Sequence, residues 1–159
     1  MSSIAKVERV VNVPKAYFWG RLLDFGDIKS FLPENIDHVE CTGNEIGSLR
    51  YITLGEITGY PGEVIERLEG VYEDNFFVYS VIDKSCLPFT NYVSCVSVKE
   101  VSNSECEVCW YSHWKADGLG EEEVKAMLEG FYELIFSNAE EQFSAVSYTH
   151  LTLPTICSV

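Results

Sequence analysis

Apolar and polar residues alternate along most of the chain, and this pattern predicts a series of β-strands. We expect the first strand at residues 5–13. Pro14 then begins a helix over residues 14–25, because proline suits the first turn of a helix. A shorter helix is expected at residues 28–31. Turn signals such as Thr42-Gly43-Asn44 separate six further strands, expected at 36–42, 47–54, 62–69, 76–83, 91–101 and 106–116.

The apolar spacing changes from that of a strand to that of a helix after Gly120. Residues 121–145 place apolar side chains three and four positions apart, and three glutamates open this segment, where they favour the positive end of the helix dipole. The short links between strands imply antiparallel pairing. The predicted fold class is therefore α+β: a curved antiparallel sheet of about seven strands against a long C-terminal helix, with two short helices after the first strand.

The domain is expected to span residues 1–145. Residues 146–159, "VSYTHLTLPTICSV", resemble translated adaptor or vector sequence. We therefore expect a C-terminal tail that is non-native or disordered. A native, strand-like tail is the alternative.

One face of the predicted sheet is apolar and aromatic but includes a few polar groups. This composition is typical of a small-molecule pocket of about 300–1,000 Å³ rather than of a filled core. The opposite face holds Arg67, Lys99 and His113 and is expected to face solvent. The inward set is Arg50, Ile52, Leu54, Val64, Glu66, Leu68, Phe77, Tyr79, Val81, Tyr92, Ser94, Val96, Val98, Val108, Trp110, Ser112 and Trp114.

The amino-acid composition limits the classes of binding partner that we expect. The net charge of −14 argues against binding to nucleic acid or to an anionic membrane surface. No apolar run reaches about 18 residues and no signal-peptide pattern is present, so we expect a cytoplasmic protein with no stable membrane insertion. Cys106 and Cys109 match a C-x-x-C spacing, but on a strand they point to opposite faces. With no second pair nearby, neither a metal nor a cofactor is expected.

The element order and several local stretches resemble the helix-grip superfamily, which includes polyketide cyclase/dehydrases, START-type lipid-transfer domains and the birch pollen allergen. The stretches are "NVPKAYFWGRLLDFGDIKSFLP", "GNEIGSLRYITL", "VIERLEG" and "LPFTNYVSCVSV", followed by the closing helix. The resemblance spans residues 4–145. Within the superfamily the chain is most similar to the plant abscisic acid receptors, which match it at Arg50, at Glu66-Arg67-Leu68 and at Asn91-Tyr92.

The resemblance implies that Glu66, Tyr92 and Ser94 contact a ligand directly or through water. Lys29 falls roughly where the receptors place the lysine that meets the ligand carboxylate; the alternative is an ordinary surface lysine. Combined with the inward face, this predicts a set of ligand-contacting residues: Lys29, Arg50, Ile52, Leu54, Tyr60, Pro61, Val64, Glu66, Tyr79, Val81, Leu87, Tyr92, Ser94, Trp110, Ser112, Phe131 and Ile135.

Two loops depart from the receptor pattern. The receptors' gate reads Ser-Gly-Leu-Pro-Ala, whereas residues 58–62 here read Thr-Gly-Tyr-Pro-Gly. Their latch reads His-Arg-Leu, and residues 86–88 here read Cys-Leu-Pro. Hormone-triggered capture of a phosphatase is therefore not implied, and the ligand can be quite different.

Three functions remain open, and Glu66 separates the first two. We expect binding of a small hydrophobic ligand such as a lipid, polyketide or hormone-like molecule, with Glu66 paired to Lys29 or Arg50 or holding water. The alternative is a cyclase/dehydrase in which Glu66 is the general base and Tyr92 donates to the oxyanion. The second alternative is a ligand-gated receptor that docks a protein partner at the cavity mouth, near Tyr60 and Leu87. Binding is preferred because no second titratable group accompanies Glu66.

Overall fold

A seven-stranded antiparallel sheet lies against one long helix in the computed structural model, which describes the backbone of residues 3–157 and the side chains of residues 3–147. In chain order the elements are β1 (Ser3–Val11), α1 (Lys15–Leu23), α2 (Ile28–Phe31), β2 (Ile36–Cys41), β3 (Leu49–Leu54), β4 (Gly62–Tyr72), β5 (Phe76–Ile82), β6 (Phe89–Ser102), β7 (Glu105–Ala116) and α3 (Glu121–Cys157). The predicted fold class is confirmed.

The strands follow one another as a meander. Strands β2 to β6 are each paired with the next strand along the chain, and β1 pairs with β7 to complete the order β1-β7-β6-β5-β4-β3-β2. The free edge of β1 is covered by α3. Backbone N–H groups of Lys6 and Asn12 donate to the carboxylates of Glu129 and Glu140, at 3.0 and 2.8 Å. These bonds satisfy donors that an open sheet edge would leave without partners.

The long helix extends further than its apolar pattern predicted. We expected it to end near residue 145, but α3 continues to Cys157. The non-native origin of the tail stays a prediction. Residues 158–159 and the side chains from residue 148 onward lie outside the described part of the chain.

Strand parity separates the two faces of the sheet as expected. Every residue of the predicted inward set is buried or half-buried, while Arg67, Lys99 and His113 on the other face are exposed. Alternation succeeds because side chains of a pleated strand point to opposite faces whatever the exact strand ends are. The inner face therefore meets α3, whose buried residues include Leu128 and Tyr132.

A β-bulge near the start of β6 changes this alternation once. Thr90 pairs with Lys115 and Val93 with His113, so β6 has one extra residue between these two pairs. Asn91 sits at the bulge with φ +57°, a left-handed conformation that asparagine tolerates better than most residues. The extra residue allows both Phe89 and Tyr92 to be buried on the inner face.

Among the described residues, no helix is long and apolar enough to cross a membrane. The cysteines with described side chains are free thiols: Cys41, Cys86, Cys95, Cys106 and Cys109.

Candidate ligand-binding site

A cavity of about 90 Å³ lies between the inner face of the sheet and α3. This volume is well below the 300–1,000 Å³ predicted from the composition of the inner face. The difference arises because large aromatic side chains occupy much of the interior. Tyr79, Trp110 and Tyr132 pack together there, with the Trp110 and Tyr132 rings stacked at 5.5 Å between centroids.

The cavity wall is mainly aliphatic and aromatic. Strands β2 to β7 and α3 supply most of the wall, and Ile28 and Leu32 contribute from α2 and the residue after it. The polar groups in the wall are confined to an arginine, a glutamate, three tyrosines and an indole. The lining residues are Ile28, Leu32, Ile36, Arg50, Ile52, Leu54, Val64, Glu66, Tyr79, Val81, Leu87, Phe89, Tyr92, Trp110, Met127, Leu128, Phe131, Tyr132 and Ile135.

A buried ion pair joins β3 to β4 at the cavity wall. Arg50 and Glu66 are directly opposite one another on the two strands. The Arg50 Nε and Nη2 atoms both lie 2.8 Å from Glu66 Oε1, and Arg50 Nη1 donates to the Phe25 carbonyl at 3.0 Å. The guanidinium carbon lies 4.1 Å from the ring centroid of Phe25 and 5.0 Å from that of Tyr79. Two polar partners and two aromatic rings thus fix the position of the guanidinium. The expected pairing of Glu66 with Arg50 is present in the structure.

The second carboxylate oxygen of Glu66 has no protein donor. Both contacts from Arg50 go to Oε1, and no other described side chain or backbone group donates to Oε2. Burial raises the pKa of Glu66, and the neighbouring Arg50 charge and hydrogen bond lower it in part. A carboxylate in this setting has an acceptor to offer to whatever enters the cavity.

A chain of hydroxyl groups runs from the sheet to α3 beside the cavity. Trp110 Nε1 donates to Tyr79 Oη at 3.2 Å, and the Tyr79 and Tyr92 hydroxyls lie 3.1 Å apart. The Tyr92–Tyr132 and Tyr132–Ser112 contacts are each 2.6 Å. We call Tyr79, Tyr92, Tyr132 and Ser112 the hydroxyl chain. Burial raises the pKa of all three tyrosines, so they stay neutral donors and acceptors.

Most of the predicted ligand-contacting residues come together around the cavity, although their contact with a ligand stays a prediction. Those that line the cavity are Arg50, Ile52, Leu54, Val64, Glu66, Tyr79, Val81, Leu87, Tyr92, Trp110, Phe131 and Ile135. Those that do not line it are Lys29, Tyr60, Pro61, Ser94 and Ser112.

The residues outside the lining have other partners. Lys29 is exposed, and its Nζ donates to the Asp37 carbonyl at 2.8 Å, so it behaves as the surface lysine that was the alternative. Ser94 donates to the Tyr111 carbonyl of the neighbouring strand at 3.0 Å. Ser112 belongs to the hydroxyl chain. Pro61 is exposed and adjoins Tyr60, whose carbonyl accepts the Cys86 thiol.

Several lining residues were not predicted. Tyr132 is the most informative, because it contributes the helix end of the hydroxyl chain. Its position four residues after Leu128 and eight after Val124 could have placed it on the inward helix face. The other lining residues missed are Ile28, Leu32, Ile36, Phe89, Met127 and Leu128.

No group of three or more histidine, cysteine or acidic side chains able to hold a metal ion occurs among the residues that the structure describes. The groups at the cavity are apolar side chains, the Arg50–Glu66 ion pair and the hydroxyl chain.

Comparison with known proteins establishes the fold. No protein-family model matches the chain, and no curated protein matches it. Among solved structures, the protein XoxI of Bacillus cereus is similar at 21% identity with a TM-score of 0.76, over 91% of this chain and 98% of that one. An uncharacterised protein of Bacillus thuringiensis is similar at 22% identity and a TM-score of 0.73, over 89% and 98% of the two chains.

Norcoclaurine synthase of Thalictrum flavum is also similar. One structure of the truncated enzyme has 14% identity and a TM-score of 0.68, over 90% of this chain and 94% of that one. Another, in complex with dopamine and hydroxybenzaldehyde, has 15% identity and a TM-score of 0.69, over 91% and 88%. The chain therefore has the helix-grip fold that the sequence resemblance predicted.

Proposed function

We propose that this helix-grip protein binds a small, mainly apolar molecule in the cavity between the sheet and α3. The observation that carries the proposal is an apolar cavity whose wall includes Glu66, a buried residue with one carboxylate oxygen to which no described protein group donates. A few convergent polar groups in an otherwise apolar concavity are the usual composition of a ligand pocket.

The cost of burying the Arg50–Glu66 ion pair supports a role for it other than stabilising the fold. A buried arginine–glutamate pair is often no more stabilising than apolar side chains of similar volume, because both ions lose their hydration. Arg50 and Glu66 are both buried beside the cavity. Buried, paired ionisable groups in a concave site are candidates for function, and here the function is to hold a ligand.

The size of the cavity limits its guest. An engineered cavity of about 150 Å³ is enough to bind benzene, whereas this one measures about 90 Å³. The proposed ligand is therefore no larger than about one ring, and a larger guest requires the wall to move. Met127 is suited to such movement, since its unbranched side chain is adaptable. The dopamine and hydroxybenzaldehyde held by norcoclaurine synthase are guests of similar size in a protein of this fold.

Native mass spectrometry of protein purified from a cell extract tests this function. We expect a co-purifying small molecule, and a gain in thermal stability when that molecule is added back. Val81→Phe should fill the cavity and abolish both effects. Val78→Phe is the matched control, because Val78 lies on the same strand but faces away from the cavity. Absence of any adduct, together with no thermal shift from a panel of one-ring apolar molecules, would refute the proposal.

A second candidate is an enzyme of the cyclase/dehydrase type. The unpaired Glu66 Oε2 favours it, because a general base needs a free oxygen within reach of the substrate. Glu66→Gln separates the two functions: a binder changes only its affinity or ligand preference, whereas an enzyme keeps binding and loses turnover. Docking of a protein partner at the cavity mouth stays a prediction.

A further inference from the structure

The hydroxyl chain contains one more hydrogen than the protein accepts. Its four hydroxyl groups carry four hydrogens, but only three hydrogen bonds join them. The indole N–H of Trp110 adds a donor to Tyr79 and brings no acceptor. Among the described residues these hydroxyl groups donate no other hydrogen bond. Whichever way the bonds point, one hydroxyl hydrogen is left without a partner.

The unaccepted hydrogen belongs at the cavity. Ser112 is fully buried and does not line the cavity, so a free hydrogen there would be an unsatisfied buried donor. Tyr79, Tyr92 and Tyr132 all line the cavity, where a guest can accept the hydrogen. The favoured order therefore has Ser112 donating to Tyr132, with the free donor on one of the tyrosines.

Glu66 lacks a hydrogen-bond donor where the hydroxyl chain lacks an acceptor. The buried guanidinium of Arg50 keeps its charge and needs a counter-charge, and Glu66 is the carboxylate in contact with it. All Arg50 donors described above go to Glu66 Oε1 and to the Phe25 carbonyl. Glu66 Oε2 is thus an acceptor without a donor. Glu66 lines the same cavity as the three tyrosines.

We propose that the cavity selects small phenols and similar hydroxyl-bearing molecules over hydrocarbons of the same shape. A guest hydroxyl oxygen accepts the free tyrosine hydrogen, and the guest hydroxyl hydrogen goes to Glu66 Oε2. This inference rests on the proposed binding function and names the chemical class of the ligand. A hydrocarbon guest would leave both protein groups without partners, which is how polar sites reject apolar analogues.

Phenol, anisole and toluene test the proposal on the wild-type protein. Phenol and toluene differ by a hydroxyl in place of a methyl group, and anisole accepts a hydrogen bond but donates none. Hydrophobic transfer alone favours toluene over phenol. We expect the opposite order by calorimetry, with phenol binding at least about tenfold more tightly than toluene and anisole between them.

The indole N–H signal of Trp110 gives a second readout by NMR, because this group donates to Tyr79. Trp110→Phe assigns the signal, and the Trp19 indole in α1 is the internal control. Toluene binding as tightly as phenol would overturn the inference while leaving the apolar cavity as a binding site. Failure of all three molecules to bind would overturn this inference, and together with the absence of a co-purifying molecule it would overturn the proposed function as well.

A paired substitution removes the acceptor without stranding a charge. Arg50→Met combined with Glu66→Leu should abolish the preference for phenol over anisole, while both molecules still bind. The matched control is Arg9→Met combined with Glu140→Leu, which removes both ion pairs that Arg9 makes between β1 and α3. This control should keep the wild-type order. A preference for phenol that survives the Arg50/Glu66 substitution would contradict the role of Glu66.

Discussion

Two arginine–glutamate pairs in this protein look alike in composition and differ in their access to water. Arg9 on β1 contacts Glu133 and Glu140 on α3, each at 3.1 Å, and its guanidinium lies over the Phe136 ring. Arg50 on β3 contacts Glu66 and lies over the Phe25 ring. The Arg9 side chain is 29% exposed, whereas the Arg50 side chain is 4% exposed.

The difference in exposure distinguishes a surface contact that attaches α3 to the sheet from an ion pair at the candidate site. The Arg9 pairs help to hold α3 to the edge strand, and water screens them, so each contributes little. The Arg50–Glu66 pair is largely removed from water. Loss of one partner is therefore costly in stability, whereas replacement of both by apolar side chains is nearly neutral. This costly arrangement, with a carboxylate oxygen that has no protein donor, supports the proposed binding of a ligand at the cavity.

The largest effect is expected from Arg50→Met, which leaves the Glu66 carboxylate buried without its counter-charge. The free energy of unfolding should fall by about 3–5 kcal/mol. Chemical denaturation at neutral pH measures it. Arg9→Met is the control at the partly exposed pair and should cost about 1 kcal/mol. Equal losses in the two variants would show that burial does not distinguish the pairs.

Combining Arg50→Met with Glu66→Leu sharpens the same test. Both charges are then absent, so stability should return to within about 1 kcal/mol of the wild type. A double variant as unstable as Arg50→Met alone would show that the loss came from packing rather than from an uncompensated charge.

Tyr132→Phe should have an intermediate effect. It removes the middle acceptor between Tyr92 and Ser112 and leaves the fully buried Ser112 hydroxyl without a partner. We expect a loss of about 1–3 kcal/mol in the free energy of unfolding. Tyr111→Phe on the outer face of β7 is the control and should change stability by less than about 0.5 kcal/mol. A neutral Tyr132→Phe would mean that the hydroxyl chain does not form in solution.

The smallest expected effect is the pH dependence of stability, which has opposite signs at the Arg9–Glu140 and Arg50–Glu66 pairs. Burial alone would raise the pKa of Glu140, but hydrogen bonds from Arg9 and from the Asn12 backbone N–H hold it below the usual value of 4.5. Its stabilisation is present above pH 4.5 and is lost as the pH falls through its folded pKa. The advantage of wild type over Glu140→Gln, about 0–1 kcal/mol at neutral pH, should therefore shrink in acid.

Glu66 reverses this dependence because its folded pKa is raised. Its contribution to stability grows as the pH falls from neutral through that folded value toward 4.5. Wild type should thus gain relative to the Arg50→Met/Glu66→Leu variant over the same range. Parallel pH profiles for the two comparisons would contradict the assigned difference in burial.

Strand parity made the inner face predictable from the sequence, because the alternation of Glu66 with Arg67, or of Ser112 with His113, needs no knowledge of the partners. The volume of the cavity was not predictable in this way. Parity states which face a side chain is on, but not whether its neighbours fill the space beside it. Tyr132 and Trp110 stack across the interior from elements that are adjacent only in the folded chain.

The polar partners were missed for the same reason. Ser94 and Ser112 were predicted inward, and they are, but their hydroxyls are taken up by the Tyr111 carbonyl and by Tyr132. Neither contact leaves a signal in local periodicity. Lys29 was placed by resemblance alone, and the short helix that carries it turns the side chain outward to Asp37.

The bulge at Asn91 marks a place where β6 can change length without changing its two faces. Deleting Asn91 would leave Thr90 opposite Lys115 and bring Tyr92 opposite Trp114, so the pairs on both sides of the bulge would keep their present register. Phe89, which lines the cavity, would then lie two residues before Tyr92 and stay on the inner face. A one-codon deletion at this position would therefore shorten the strand while keeping both aromatic side chains in the wall.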